Sequence, residues 1–353
     1  MRARVDLHFG DCIAGMRERL ADNSVRHLVT SIPFGSLFSY SHKPEDIGNC
    51  RDGVSFIGTQ FGLAMRFWFH QVARVLSPGC IAAIHVQQLN TTQVQHGHQG
   101  LRDFRGAIID MARKHGLNPH GEVAIPKNPQ RIAQVRKLHS LLFVSGRRDS
   151  RALSPANNDF VLFFRKPGDD GRPVRGLFDD DLNPTGQFDQ EQWIKWARGC
   201  WEDAWRASLP PTPVDDPMLA LEGYGDALGR YLIQEWRSDP TWNDIIETDV
   251  LDNWRGARET DEEKHVCPLQ LEVIRRCLLL YTNPGDLVLD PFMGIGSTAW
   301  VCLELGRDCV GFELKDSYHA MSLRNAAKAR EKFEADGVDD GQPSLPFGDE
   351  VPA

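Results

Sequence analysis

Apolar and polar positions follow one another along this chain in a repeating strand–helix order. Residues 4–9 (RVDLHF) alternate side-chain character as a strand does and stop at Gly10-Asp11. Cys12 to Leu20 places Ile13, Met16 and Leu20 at helical spacing. Val25 to Thr30 predicts a second strand, running into Ser31-Ile32-Pro33-Phe34. A long amphipathic helix is predicted over Phe56 to Leu76, stopped by Ser77-Pro78-Gly79. Cys80 to Val86 is a continuous apolar run, the pattern of a strand buried on both faces of a parallel sheet. A helix over Phe104 to His115 follows, then short strands at Val123 to Ile125 and Phe160 to Phe164. Such alternation predicts an open α/β sheet with helices on both faces.

The pattern changes between Lys166 and about Asp261. Prolines cluster at 210, 211, 213 and 217, and Trp193, Trp196, Trp201 and Trp205 crowd one stretch. This region reads as an inserted subdomain, its tryptophans more simply a small core than base-stacking wedges. The α/β pattern resumes near Pro268 with LQLEVIRRCLLLY. After about Ala335 the chain is acidic and Gly/Pro-containing, the composition of a disordered tail.

The most informative run is Leu287 to Lys315, LVLDPFMGIGSTAWVCLELGRDCVGFELK. It predicts a strand closed by Asp290, a turn built on Gly294 and Gly296, a helix from Ser297 to Leu305, a strand from Cys309 to Phe312, and Glu313 at its tip. This is the βαβ layout that holds an adenosine-containing cofactor, glycines against its polar part and the carboxylate on its ribose hydroxyls. Gly294-x-Gly296-x-x-Ala299 also fits a dinucleotide fingerprint. Asp290 separates the readings: a carboxylate there would repel a pyrophosphate at the helix N-terminus and suits a donor with a cationic amino acid end, S-adenosyl-L-methionine.

Composition narrows the class. The 353 residues are 41% hydrophobic and 25% charged, the proportions of a globular protein of one or two domains. No stretch has the roughly 20 apolar residues of a membrane span. The N-terminus reads without a signal peptide, and the eight cysteines form no CxxC pair, so a cytoplasmic protein without a zinc site or disulfide framework is expected. His85, His96 and His98 lack nearby acidic or cysteine partners and read as solvated histidines; no metal is expected. Net charge is −9, so any nucleic-acid contact must rest on a local patch. Lys127 to Arg151 supplies one: Lys127, Arg131, Arg136, Lys137, Arg147, Arg148 and Arg151 against Asp149 alone. That stretch suits phosphate contacts, with a plain solvated loop as the alternative.

Thr30-Ser31-Ile32-Pro33-Phe34 stands where α/β folds place chemistry, after a sheet strand. With DPFMGIGST, it makes the chain resemble the amino-methylating DNA methyltransferases, which methylate adenine N6 or cytosine N4. Their catalytic loop reads Asp/Asn/Ser-Pro-Pro-aromatic; this chain has Ser-Ile-Pro-Phe. The catalytic loop first and the cofactor loop last match the β-type circular order of that family. The resemblance covers about residues 4–165 and 260–330. It implies a Rossmann-like, mostly parallel seven-stranded sheet with permuted motif order. The halves would be 1–165 (catalytic) and 261–335 (cofactor-binding), with target recognition in 166–260 and a tail from 336.

By resemblance, Ser31 Oγ and the Ile32 carbonyl accept hydrogen bonds from the base amino group, Pro33 shapes the loop, and Phe34 stacks on a base flipped from double-stranded DNA. Asp11 contacts the adenine edge or only caps the following helix. Pro291 and Phe292 belong to the cofactor motif. Ser297 and Thr298 bond the donor carboxylate or cap their helix, and His265 touches the methionine end or lies at the surface. Ser at the first loop position is more typical of cytosine-N4 members. Ile32 departs from the family's first proline, which motivates an alternative: a DNA-binding protein with the same fold and an impaired loop. Dimers are common in the family, which includes restriction-modification, phage and orphan enzymes. Gln342-Pro343-Ser344-Leu345-Pro346-Phe347 resembles bacterial sliding-clamp binding peptides.

Overall fold

A computed structural model describes residues 3–35, 40–50, 56, 58–91, 100–127, 143–149, 151, 158–175, 242, 245–246, 248–251 and 268–335. The strands are β1 (Val5–Phe9), β2 (Val25–Ser31), β3 (Leu76–Gln87), β4 (Leu89–Thr91), β5 (Gly100–Arg102), β6 (Asn118–Ile125), β7 (Asp159–Arg165), β8 (Leu287–Asp290) and β9 (Asp308–Glu313). The helices are α1 (Cys12–Arg19), α2 (Gln60–Val75), α3 (Phe104–Lys114), the short α4 (Phe143–Arg148), α5 (Leu271–Tyr281), α6 (Ser297–Leu305) and α7 (Asp316–Ala335).

Seven strands form one sheet in the order β1-β9-β8-β2-β3-β7-β6. β1, β9, β8, β2 and β3 pair in parallel; β7 runs antiparallel to both β3 and β6. The expected mostly parallel, seven-stranded sheet is therefore present. β4 and β5 form a separate antiparallel pair, which the sequence pattern did not announce.

Side-chain alternation buries both faces. Leu28, Ala82, Ile84, Leu162, Phe164, Leu289, Val310 and Phe312 face one core, under α1, α2 and α3. Val29, Ile81, Ala83, Val161, Phe163, Val288 and Cys309 face the other, under α5, α6 and α7. Neighbouring strand positions thus feed opposite cores, which explains why these strands read as unbroken apolar runs.

Local chemistry sets the helix limits. Thr59 caps α2, its Oγ1 accepting from Gly62 N at 3.1 Å, so the helix starts four residues later than the apolar pattern predicts. α6 lies between Gly296 and Gly306, both left-handed at φ +95° and +71°. β3 begins at Leu76 and passes through the Ser77-Pro78-Gly79 stop without breaking.

Residues 166–175 and the described part of 242–251 pack on the sheet domain. Lys166 donates to Leu76 O at 2.7 Å, Arg175 N to Asn283 Oδ1 at 2.8 Å, and Trp242 N to Ala124 O at 2.9 Å, its ring buried. Trp193 to Trp205 lie outside the described residues, as does the tail. No described helix is long and apolar enough to cross a membrane.

Candidate active site

In this sheet the chain order reverses between β8 and β2: β9 lies on one side of β8, and β2, from the other end of the sequence, lies on the other. Ligands of open α/β sheets bind at such a switch point, outside the carboxyl ends of the strands. Asp11, Glu313, Asp290 and Ser31 follow or end four adjacent strands there: β1, β9, β8 and β2.

Asp290 joins the two predicted loops. Its Oδ1 accepts from Thr30 Oγ1 at 2.6 Å and Phe292 N at 3.0 Å; its Oδ2 accepts from Thr298 Oγ1 at 2.6 Å. The Thr30 bond spans 260 residues of sequence. Burial raises the Asp290 carboxyl above its ordinary range, while the two threonine hydroxyls and the Phe292 amide oppose that shift. Its carboxylate is thus committed to the junction between the loops, as is the Thr298 hydroxyl. Ser297 is buried in the first turn of α6, whose N-cap is Gly296.

Pro291 and Phe292 continue the turn, with Phe292 stacked on Trp68 at 5.7 Å. Gly294 and Gly296 both have positive φ, +56° and +95°. A Cβ on Gly296 would lie 3.1 Å from the Ser322 backbone of α7, so a side chain there would crowd α7 as well as strain the backbone. Among the described residues, a Cβ on Gly294 meets nothing within 4 Å, and the same holds at Gly10. Between these two open glycines sits Glu313. Its backbone oxygen accepts from Gly10 N at 2.9 Å, Oε2 from Gly294 N at 2.8 Å and Oε1 from Lys315 N at 2.8 Å. Burial pushes its carboxyl up to about 7, against the pull of those amides. Asp11 caps α1, Oδ2 accepting from Ala14 N at 2.8 Å.

The other loop leaves β2 at Ser31. Ile32 is 1% exposed and packs in the core beneath α1 and α2; Pro33 is buried and Phe34 half-buried. The Phe34 ring meets His85 edge-on at 5.7 Å and Phe104 at 6.3 Å.

Two expectations change. His85 is not a solvated histidine. β3 carries it into the site at 7% exposure, because Ser31 and His85 are partners in the β2–β3 ladder. Ser31 Oγ lies 2.9 Å from His85 Nδ1, and His85 Nε2 lies 3.1 Å from Asp159 Oδ2 at the start of β7. Lys127 is drawn inward as well: its Nζ is 2.7 Å from the same Asp159 oxygen, with the side chain 12% exposed, so it is not a free phosphate contact. Burial would raise the Asp159 carboxyl, but the His85 hydrogen bond and charge, with Lys127, bring it below its ordinary value. The sequence signal for this set was a histidine interrupting the apolar run CIAAIHV and an aspartate opening FVLFF.

Arg147 and Arg148 are exposed at the end of α4, and Arg151 pairs with Asp149 at 2.9 Å. Arg131, Arg136, Lys137, His265 and Gln342 to Phe347 lie outside the described residues. No group of metal-binding side chains occurs among the described residues.

Residues 25–324 match the N6_N4_Mtase family model, described as DNA methylase. The type II methyltransferase M.SmaI of Serratia marcescens is 26% identical over 196 residues, 53% of this chain and 65% of that protein, so the match spans just under two thirds of the relative. A Thermus thermophilus protein described as a DNA modification methylase, solved with S-adenosyl-L-methionine, superposes with a TM-score of 0.53 at 20% identity, covering 92% of this chain and 93% of that one. The cytosine-N4-specific PvuII DNA methyltransferase also gives 0.53, at 15% identity, covering 95% and 93%. These two structures share the fold.

Proposed function

The chain belongs to the DNA methylase family, and on that premise we propose that it methylates the exocyclic amino group of a base in double-stranded DNA, with S-adenosyl-L-methionine as donor. The observation that carries this reading is the Thr30–Asp290 bond at 2.6 Å. It ties the loop suited to a base amino group to the loop suited to an adenosine cofactor.

The residues present fit that cofactor. The open room at Gly10 and Gly294 flanks the Glu313 carboxylate, whose two oxygens accept from the Gly294 and Lys315 amides and keep acceptor capacity for further donors. When bound, the donor supplies a methyl group activated by a sulfonium centre. Glu313 would hold the ribose hydroxyls, with the glycine turn against the amino acid end.

An exocyclic amino nitrogen is a poor nucleophile because its lone pair is delocalised into the ring. Acceptors at Ser31 Oγ and the Ile32 carbonyl draw its two N–H bonds out of the ring plane and aim the lone pair. Phe34 offers a ring to a flipped base. Catalysis on the protein side is then positioning, without a covalent enzyme–base intermediate. Ile32 supports a working loop: its buried side chain anchors the position that proline stiffens elsewhere in the family. Serine at position 31 favours cytosine N4 as the target. The exposed Arg147 and Arg148 are available to DNA phosphates.

Labelled donor and mixed-sequence DNA test the reading. Label should enter DNA, at an initial rate that Ser31→Ala and Phe34→Ala each lower at least about tenfold. Nucleoside mass spectrometry should then find N4-methylcytosine; N6-methyladenine would correct the base alone. Donor binding without transfer to any DNA would overturn the activity.

A further inference from the structure

A hydroxyl in the first position of the acceptor loop poses a problem that a carboxylate does not. A carboxylate can only accept hydrogen bonds, whereas a serine hydroxyl both donates and accepts. The amino edge of cytosine or adenine carries an N–H₂ donor beside a ring-nitrogen acceptor. A freely rotating Ser31 hydroxyl could therefore donate to the ring nitrogen, where it would do nothing for the amino group.

We propose that His85, oriented by Asp159, takes the Ser31 hydroxyl proton in a hydrogen bond and so fixes Ser31 as an acceptor facing the base amino group. This rests on residues 31–34 being the acceptor loop. Asp159 is buried at 6% exposure, and one oxygen serves both His85 Nε2 at 3.1 Å and Lys127 Nζ at 2.7 Å. The ionised carboxylate can only accept, so Nε2 carries the imidazole proton. In the neutral ring Nδ1 is then bare, and its partner at 2.9 Å, Ser31 Oγ, must donate to it. With its single proton committed there, Ser31 has only lone pairs left for the base. Phe34 closes over the imidazole edge at 5.7 Å and helps hold the ring. His85 is a positioning residue acting through Ser31. Protonation of His85 would reverse the polarity, since Nδ1–H would donate to Ser31 and turn the hydroxyl proton outward.

Single-turnover methylation at saturating donor tests this through non-additivity. His85→Phe keeps an aromatic ring but loses the acceptor, and should slow the chemical step about 10- to 100-fold, the scale of a lost buried hydrogen bond. Ser31→Ala should slow it similarly. The double variant should be no slower than the worse single variant within about threefold, because both act as one unit. Donor affinity should stay near wild type, and each variant should keep the wild-type circular dichroism spectrum and a cooperative unfolding transition.

A readout independent of activity is the imidazole ¹⁵N spectrum of the free wild-type protein. It should report the Nε2–H tautomer for His85, and Asp159→Asn should disturb it. Multiplicative losses in the double variant, a wild-type rate in His85→Phe, or an Nδ1–H tautomer would each overturn the proposal. Absence of transfer by wild type would instead overturn the functional reading, and the spectrum would still decide the His85–Ser31 bond.

Discussion

At the scale of single residues, Glu313 has the sharpest consequence. Its carboxyl is held up at about 7 because it is drawn into the sheet edge, and a ribose-holding role needs it ionised. Below about 7 the carboxyl is protonated and one acceptor oxygen becomes a donor. Donor affinity should therefore rise as pH rises through that value, losing close to tenfold per pH unit on the acid side. Titration of donor binding by calorimetry at several pH values checks this. Glu313→Gln should bind more weakly than wild type above about 7 and without that pH dependence, so that the two converge on the acid side; a variant as pH-dependent as wild type would refute the assignment. Glu313 and Ser31 stood out in the sequence as candidates because each is a polar residue ending an apolar strand, and Gly294 and Gly296 because they punctuate the turn between a strand and a helix. Asp290 and Thr298 stood out as candidates too, but their bond to one another and to Thr30 did not. A buried carboxylate takes the donors that the sheet order places beside it, and Thr30 arrives from 260 residues away. His85 and Asp159 escaped for the same reason: their meeting depends on the pairing of β3 with both β2 and β7.

At the scale of elements, the Thr30 hydroxyl ties the carboxyl end of β2 to Asp290 at the end of β8, and the Thr298 hydroxyl ties the start of α6 to the same carboxylate. Thr30→Val keeps the shape and leaves the carboxylate short of a donor, which should cost about 1–3 kcal/mol in urea unfolding. It should also lower both donor affinity and methylation rate, because one bond positions both loops. Loss of rate with unchanged affinity would mean that the loops are set independently. Ile32 makes the second case. Truncation to alanine in a site that is 1% exposed should cost about 2–4 kcal/mol, by lost burial and the cavity left behind. Strand and helix order was readable from apolar periodicity, since every long element buries a face. Limits were less so: α2 starts at its Thr59 cap rather than at the first apolar residue, and β3 runs through Pro78. The β4–β5 pair has three residues per strand, too few for a period to register.

At the scale of the whole molecule, β2 lies at the centre of the sheet, and His27 within it is fully buried, stacked on Tyr281 at 5.6 Å. Burial lowers the His27 pKa to about 3 from an ordinary 6.5. Unfolded chains take up that proton near 6.5, and the native state only near 3. The native state thus binds fewer protons between the two values. The contribution of His27 is present in full above 6.5 and is lost as pH falls toward 3. Glu313 acts with the opposite sign: its raised carboxyl gives stability that is full below its ordinary 4.5 and lost as pH rises through about 7. Between about 4.5 and 6.5 the two offset one another, so wild-type stability alone would conceal both. Difference measurements separate them. Urea unfolding of wild type against His27→Phe should diverge by about 1.4 kcal/mol per pH unit below about 6.5, wild type losing more. Both proteins should unfold in one transition monitored by fluorescence and by circular dichroism, because β2 pairs with β8 on one side and β3 on the other and joins the two ends of the sequence. A pH-independent difference would place the His27 ring in contact with water. A biphasic transition would mean that the sequence-distant halves of the sheet fold as separate units.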